Sequence, residues 1–282
     1  MLELLWEALH HAFLDGINLL PFLFGTYLLI EWLEHKGSNK LATRLQKAGH
    51  FGPAVGALLG CVPQCGFSVA AANFYAGRIL SLGTLLAVFL STSEEAVPIL
   101  LAQPEKAGML LPLLGCKILI GALAGFAIDA LHRPKHLGTV EHDAICDHCG
   151  CEHHSILRSA VLHTLQTFAF ILIVLFALEL AMHGMGHDWM SSVLMNNSPL
   201  QPLLAGLIGF IPGCVSSVVL TELYMEGVLS FGAVIAGLCT GSGMGLAVLF
   251  RMNRNWKENL SITGLLYLIS ALAGMLLQLT GI

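Results

Sequence analysis

Two cysteines in this chain each lie two residues after a helix-breaking proline, at positions 149 residues apart. The sequence Pro-Gln-Cys at 63–65 is matched by Pro-Gly-Cys at 212–214, and Cys61 precedes Cys65 by about one helical turn. Paired thiolates are soft ligands suited to Zn, Cu(I) and comparable thiophilic species. A membrane cysteine can equally be a small apolar packing residue. The repetition beside a helix break favours Cys65 and Cys214 as ligands.

Acidic residues interrupt the apolar sequence at two further places. Glu94 and Glu95 end the segment Ser-Thr-Ser-Glu-Glu at 91–95, and Glu222 is the second-half counterpart of Asn73. A charge at the bilayer centre costs about 2.5–3.5 kcal/mol on insertion scales. We therefore expect these carboxylates to bind a cation or a proton. Glu95 would also suit a turn at the membrane edge, which makes Glu94 the stronger candidate.

A carboxylate and an imidazole lie inside two other apolar stretches. Asp15 in the first stretch and His163 in the fifth are 148 residues apart, close to the spacing of the cysteine motifs. Such a pair could ligate a metal or relay protons. We predict that both belong to the same polar centre.

Cysteine and histidine are concentrated in the middle of the chain. Dense tracts of this kind are typical of metal binding, although no second Cys-x-x-Cys completes a zinc-ribbon site. An idle linker that has accumulated histidine is the alternative. The predicted metal ligands in this loop are Cys146, His148, Cys149, Cys151, His153 and His154.

The composition indicates an integral membrane protein. Apolar residues make up 56% of the 282 residues and charged residues 11%, against about a quarter charged in soluble domains. Apolar stretches near the roughly 20 residues needed to span a bilayer occur at 10–32, 52–76, 79–101, 108–131, 157–181, 200–225, 228–250 and 259–281. The fold class is therefore all-α and membrane-embedded.

The distribution of basic residues predicts which loops face the cytoplasm. Lys and Arg are concentrated in 33–50, 132–158 and 251–258 and are absent from 182–199, so the first three loops are expected inside and the last outside. This count requires an even number of crossings between the first two basic loops. We therefore predict that 52–76 and 200–225 are broken re-entrant hairpins. Eight plain spans with two proline kinks are the alternative.

This topology predicts two inverted repeats, each with three crossings and one broken hairpin, or about ten helical segments in all. The predicted units are a first repeat at 1–131, a cytoplasmic loop at 132–156 and a second repeat at 157–282. Ser68 then corresponds to Ser217 and Ser93 to Ser242. The predicted transport site consists of Asp15, Pro63, Gln64, Cys65, Ser68, Asn73, Ser93, Glu94, Glu95, His163, Pro212, Cys214, Ser217, Glu222 and Ser242.

These residues resemble a known family, the ten-transmembrane heavy-metal exporters. The resemblance rests on Pro-Gln-Cys-Gly-Phe-Ser at 63–68, the second Pro-x-Cys at 212–214, the acidic segment at 91–95 and the His-rich loop, and it extends over essentially the whole chain. Members of this family are variously labelled manganese transporters or arsenic efflux proteins. The resemblance implies export of a metal or metalloid.

We therefore expect a secondary exporter of heavy-metal cations in the cell inner membrane, one that works by alternating access and is proton-coupled. Carboxylates would suit Mn(II), whereas paired thiols would suit softer ions. A permease for trivalent arsenicals is the nearest alternative, and a membrane-anchored metal sensor is a third. We expect no enzymatic activity, no nucleic-acid partner and no required cofactor. The transported metal ion is the substrate, and the cytoplasmic loop could hold a further metal. The chain has no ATP-binding motif.

Overall fold

The computed structural model describes residues 17, 20, 21, 24, 25, 27, 28, 51–63, 65–93, 96–102, 105–131, 156–185, 200–211 and 214–280. At some helical positions, among them Cys65, His163 and Cys214, it describes the backbone only. The predicted site residues Asp15, Gln64, Glu94, Glu95 and Pro212 lie outside the described residues, as does the Cys/His-rich loop. What was predicted for them stays a prediction.

The described part of the chain is helical and contains no β-strand, which confirms the all-α prediction. The described residues between 17 and 28 are helical as well. The other helices are α1 (Gly52–Gly60), α2 (Cys65–Ala76), α3 (Leu82–Ser91), α4 (Ala96–Ala102), α5 (Leu110–Leu131), α6 (Ile156–Met185), α7 (Gln201–Gly209), α8 (Cys214–Met225), α9 (Phe231–Thr240), α10 (Gly245–Met252) and α11 (Trp256–Leu279).

Four helical stretches within the described residues are long and apolar enough to cross a membrane. They are Leu82–Ala102, Leu110–Leu131, Phe231–Met252 and Trp256–Leu279. The first and third are 75% and 78% buried within the protein, whereas the other two are only 28% buried. Exposed leucines cover the outer faces of α5 and α11, where lipid would surround them. The chain is therefore a multi-pass membrane protein with α3 and α9 at its centre.

The apolar segments predicted to be broken are broken. Segment 52–76 forms α1 and α2, of 9 and 12 residues, and segment 200–225 forms α7 and α8, also of 9 and 12 residues. At 1.5 Å per residue, none of the four is long enough for a hydrocarbon core about 30 Å thick. The interruption predicted at 91–95, and its counterpart at 240–243, likewise divide their segments into two helices each.

The helix boundaries repeat along the chain at the spacing seen in the sequence. Helices α1, α2 and α3 correspond residue for residue to α7, α8 and α9, each pair beginning 149 positions apart. Even the caps correspond. Ser81 accepts a hydrogen bond from the backbone N–H of Thr84 at the start of α3, and Ser230 accepts one from Ala233 at the start of α9. The duplicated sequence therefore forms a duplicated helical unit.

Glycines bring the central helices against the outer ones in both units. A Cβ on Gly83 would lie 2.1 Å from the carbonyl oxygen of Gly125, where α3 crosses α5. A Cβ on Gly232 would lie 2.3 Å from the carbonyl oxygen of Gly274, where α9 crosses α11. Since the obstacle is backbone in each case, no side-chain rotation could relieve the clash. Small residues of this kind let membrane helices approach closely.

Candidate functional site

The two central helices end in polar residues at the middle of the molecule. Helix α3 is followed by Thr92 and Ser93, and helix α9 by Gly241 and Ser242, and the side chains of Thr92, Ser93 and Ser242 are buried. The hydroxyl of Thr92 donates to the carbonyl oxygen of Val88 at 2.8 Å, so that side chain is satisfied within its own helix. Non-helical backbone at this depth is tolerated only inside protein or beside a water-filled cavity.

A single lysine joins the ends of both central helices. Lys117 lies in α5, and its side chain is fully buried. Its ammonium group donates hydrogen bonds to the carbonyl oxygen of Thr92 and, at 3.0 Å, to the carbonyl oxygen of Leu238 in the last turn of α9. The last carbonyls of a helix have no partner within the helix and carry partial negative charge. Lys117 thus supplies the positive charge that both helix ends attract.

Two cysteines interact electrostatically with this lysine, and a third is its neighbour in the sequence. Cys61 follows α1, Cys116 precedes Lys117 in α5, and Cys239 is fully buried in α9. Cys61 and Cys239 lie within electrostatic range of the Lys117 ammonium and of each other. Cys116 and Cys239 each stand alone in an apolar stretch of the sequence, whereas in the fold Cys239 interacts electrostatically with both Cys116 and Lys117. No group of three His, Cys, Asp or Glu side chains among the described residues is close enough to hold a metal ion.

The start of α10 lies directly against α2. A Cβ on Gly245 would meet the Cβ of Ser68 at 2.8 Å and the ring of Phe89 at 2.8 Å. Ser68 itself is fully buried. The second helix of one unit therefore packs on the fourth helix of the other, and Ser68 belongs to this contact between the units.

Asn73 contributes a buried amide to the same interface. Its side chain is fully buried, and its Oδ1 lies 3.4 Å from the hydroxyl of Tyr27. Within the described residues, its Nδ2 has no hydrogen-bond partner. The Tyr27 hydroxyl also lies 2.7 Å from Oγ1 of Thr167 and 3.6 Å from the sulfur of Met252. Since an unsatisfied buried amide is costly, Asn73 is a candidate ligand-binding group.

A cavity of about 280 Å³ opens beside the break in the second unit. Ser242 and Gly243 line it together with Gly209 and Phe210 at the end of α7, and Phe170 of α6 closes one side. Gly243 has a φ of +54°, a backbone conformation that side chains rarely adopt. The predicted site residue Ser242 therefore faces a space large enough for a small solute.

Two polar contacts join the units at positions away from this centre. Glu258 at the start of α11 accepts from Arg78 through both of its carboxylate oxygens, at 2.9 and 3.2 Å, and also from the hydroxyl of Tyr75. The ammonium group of Lys106 donates to the carbonyl oxygen of Met225, the last residue of α8, at 2.9 Å. Both contacts involve the end of the second helix of one unit, α2 or α8. The partner residue lies at the start of the last helix of the other unit (Glu258 in α11) or shortly before it (Lys106 before α5).

The other predicted site residues occupy different surroundings. Ser93 is buried at the end of α3, whereas Ser217 is half-buried. Pro63 is exposed between α1 and α2, and Glu222 is exposed on α8. The structure thus brings Ser68, Asn73, Ser93 and Ser242 into the protein interior, but it leaves Pro63 and Glu222 on the surface.

Lys117 is the central residue that the sequence analysis missed. It is the sole charged residue in the apolar run from 107 to 128. An ionisable residue within a membrane segment is by default a candidate functional residue. The charge in an apolar segment could have identified Lys117. The repeat does not mark it, however, because the position equivalent to Lys117 in the second half of the chain is Leu266.

The fold and its buried polar centre define a multi-pass helical membrane protein with a duplicated helical core. A family model described as "Putative, 10TM heavy-metal exporter" matches residues 1–196 and 165–281. Together these matches cover nearly the whole chain, and the chain belongs to this family. No curated protein and no solved structure matches the chain at a significant level.

Proposed function

We propose that this protein is a secondary exporter of heavy-metal species, with its transport site between the two helical units. The observation that carries the proposal is the Lys117 contact, which joins the ends of a broken helix from each unit at one buried point. Broken helices that meet at the membrane midplane are the means by which many secondary transporters bind substrate and coupling ions. Family membership supports a heavy metal as the substrate.

The two contacts between the units support an inverted arrangement. The basic loops predict that Arg78 and Glu258 both face the cytoplasm and that Lys106 and Met225 both face outside. Each contact thus joins residues on the same predicted side. With eight plain spans, the partners of each contact would lie on opposite sides of a bilayer about 30 Å thick, and neither contact could form. Alternating access would then proceed by movement of one unit against the other.

For a divalent metal cation, we propose that the ligands come from Glu94, Cys65 and Cys214, with Asp15 and His163 as the proton-exchanging groups. The buried amide of Asn73 and the hydroxyl of Ser242 would complete the polar lining. Carboxylates are needed because the Lys117 ammonium would otherwise repel a cation at the centre. The inner membrane is the proposed location, with loops 33–50, 132–158 and 251–258 in the cytoplasm.

A trivalent arsenical is the second candidate substrate, and the Lys117 environment favours it. Neutral arsenic(III) species would not be repelled by the fixed ammonium charge, and they bind thiols. The proposal is supported by Cys61 and Cys239, because both thiols interact electrostatically with Lys117. This route would depend on cysteines and would need neither Glu94 nor Asp15.

Elemental analysis of a metal-sensitive bacterial host that expresses this chain would test the proposal. We expect a selective fall in one element among Mn, Zn, Cd, Cu, Co and As. Loss of the effect in Glu94→Gln would indicate a metal cation, and loss in Cys65→Ser or Cys239→Ala with survival of Glu94→Gln would indicate an arsenical. Gly115→Ala is the matched control, because a methyl group there meets open space. No change in any element, with the protein present in the membrane, would contradict the proposal.

A further inference from the structure

Lys117 carries a charge that the rest of its helix does not explain. Its side chain is fully buried in α5, and the helix around it is apolar enough to cross a membrane. A buried charge is tolerated only where hydrogen bonds and opposite charge compensate for lost hydration. The ammonium group finds these at the carbonyl oxygens of Thr92 and Leu238. Two of its acceptors are thus backbone carbonyl oxygens at helix ends.

These acceptors form the type of site that binds monovalent cations. Carbonyl oxygens at the C-terminal ends of half-helices coordinate coupling cations in secondary transporters built from broken helices. The negative end of the helix dipole adds to the attraction. In this protein, the carbonyls come from the ends of α3 and α9, one from each unit. The Lys117 ammonium therefore occupies the position where such a cation would bind.

One lysine serves both helix ends. The position equivalent to Lys117 in the second unit is Leu266, whose side chain is also fully buried. The second unit therefore contributes a helix end to the contact but no ammonium group. A symmetric pair of lysines would place two positive charges at one buried point, where mutual repulsion is strong.

We propose that Lys117 is a built-in monovalent cation, which holds the two helix ends together in place of a dissociable Na⁺ or K⁺. Export by this protein then needs no Na⁺ or K⁺ gradient. Removal of the amine leaves a vacant site that Na⁺, K⁺ or methylammonium can occupy. The independence from Na⁺ and K⁺ gradients rests on the proposed transport function, whereas the vacant cation site concerns the folded protein alone.

Thermal unfolding of purified Lys117→Ala protein tests the vacant site without any transport assay. The salts to compare are NaCl, KCl, methylammonium chloride and choline chloride, at equal ionic strength. We expect Lys117→Ala to melt below the wild type, and one of the first three cations to raise its Tm by a few degrees over choline. The wild-type Tm should be the same in all four salts. Equal Tm values for Lys117→Ala in all four salts would overturn the proposal.

Leu266→Ala is the matched control. It removes a fully buried side chain at the equivalent position of the second unit, so it should lower the Tm through a cavity that no cation fills. If a cation stabilised Leu266→Ala as much as Lys117→Ala, the effect would be nonspecific and the proposal would be wrong.

A flux measurement on the wild type decides the question if Lys117→Ala does not fold. Export from vesicles should change less than twofold when choline replaces both Na⁺ and K⁺ on both sides. A requirement for either ion would overturn the proposal. Absence of any export would count against the transport function alone, whereas a wild-type Tm that rises in NaCl or KCl over choline chloride would overturn the cation-site proposal even where Lys117→Ala does not fold.

Discussion

The two helical units share their backbone but not their charges. Helices α1 to α3 and α7 to α9 have the same lengths and caps, and the glycine crossings repeat within a few tenths of an ångström. The polar positions diverge, since Lys117 corresponds to Leu266 and Arg78 to Gly227. Packing therefore needs both copies of the repeat, whereas the charge that joins the helix ends comes from one copy alone.

The largest expected effect concerns the glycine crossings, which should be equally important in the two units. Gly83→Val and Gly232→Val place a side chain against the backbone of the neighbouring helix. Overpacking of this kind costs about 3 kcal/mol where the backbone cannot shift. We expect the Tm of both variants in detergent to fall far below that of the wild type. Thermal unfolding of the purified proteins measures the difference.

Gly115→Ala in α5 and Gly264→Ala in α11 are the controls for this comparison, because a methyl group meets nothing within 4 Å at either position. Their stability should equal that of the wild type or exceed it slightly. A large loss in one unit with a small loss in the other would show that the two crossings are not equivalent.

A smaller and unequal effect is expected at the helix starts. Asp129 accepts from the hydroxyl of Ser81 at 2.6 Å and from the backbone N–H of Gly83 at 2.8 Å. Its counterpart is Gln278, whose Oε1 has no partner among the described residues. Asp129→Ala should cost about 2 kcal/mol, since hydrogen bonds to charged groups contribute about 1.5–3 kcal/mol.

Gln278→Leu should be neutral or stabilising, because it removes a buried polar atom that has no partner in the described part of the chain. Chemical unfolding of the two variants side by side measures the difference. Equal losses in Asp129→Ala and Gln278→Leu would refute the claim that polar function is unequal between the units.

The contacts between the units should differ in strength. Glu258→Gln weakens the two hydrogen bonds to Arg78, whereas Lys106→Met removes one hydrogen bond to the carbonyl oxygen of Met225. Arg78 and Glu258 are partly exposed, so the loss of stability from Glu258→Gln should be about 1 kcal/mol or less. We expect Glu258→Gln to have a clearer effect on the rate at which a thiol reagent labels Cys61 from the cytoplasmic side. That rate should increase in Glu258→Gln and change little in Lys106→Met.

A similarly small effect is expected at the turn that follows the second helix of each unit. Arg78 and Gly227 both have positive φ, +57° and +78°. Gly227→Ala should cost about 1 kcal/mol, because a left-handed conformation disfavours a Cβ. Arg78→Gly relieves that strain but loses the contact with Glu258, so its Tm should stay within a degree or two of the wild type. A large loss in Arg78→Gly would show that the ion pair contributes more than partial exposure allows.

Much of the fold could be predicted because repetition and hydropathy are properties of the sequence itself. The proline at 63 and the acidic segment at 91–95 marked breaks that the structure contains. The boundaries were accurate within a few residues, since apolar segments in a membrane must begin and end near its surfaces. The inverted arrangement was inferred from loop charges and stays a prediction.

The site was harder to predict, because a repeat identifies shared residues and the charge at this centre is not shared. Lys117 was overlooked for that reason, and Cys239 seemed isolated because its neighbours Cys61 and Cys116 are distant in sequence. Glu222 is a candidate because it is a charge in an apolar segment at the position that matches Asn73, and in the fold its side chain is exposed. Which face of a helix lies inward depends on tertiary packing, which the hydropathy of a uniformly apolar segment does not reveal.

The Lys117 contact also constrains the order of biosynthesis. Lys117 leaves the ribosome 121 residues before Leu238, an interval of about 6–24 s at a translation rate of about 5–20 residues per second. Throughout that time α5 contains a lysine without one of its two described acceptors, and a charge of this kind opposes membrane insertion by about 2.5–3.5 kcal/mol. That cost stays without the second described acceptor until α9 has been synthesised, when the carbonyl oxygen of Leu238 becomes available to Lys117.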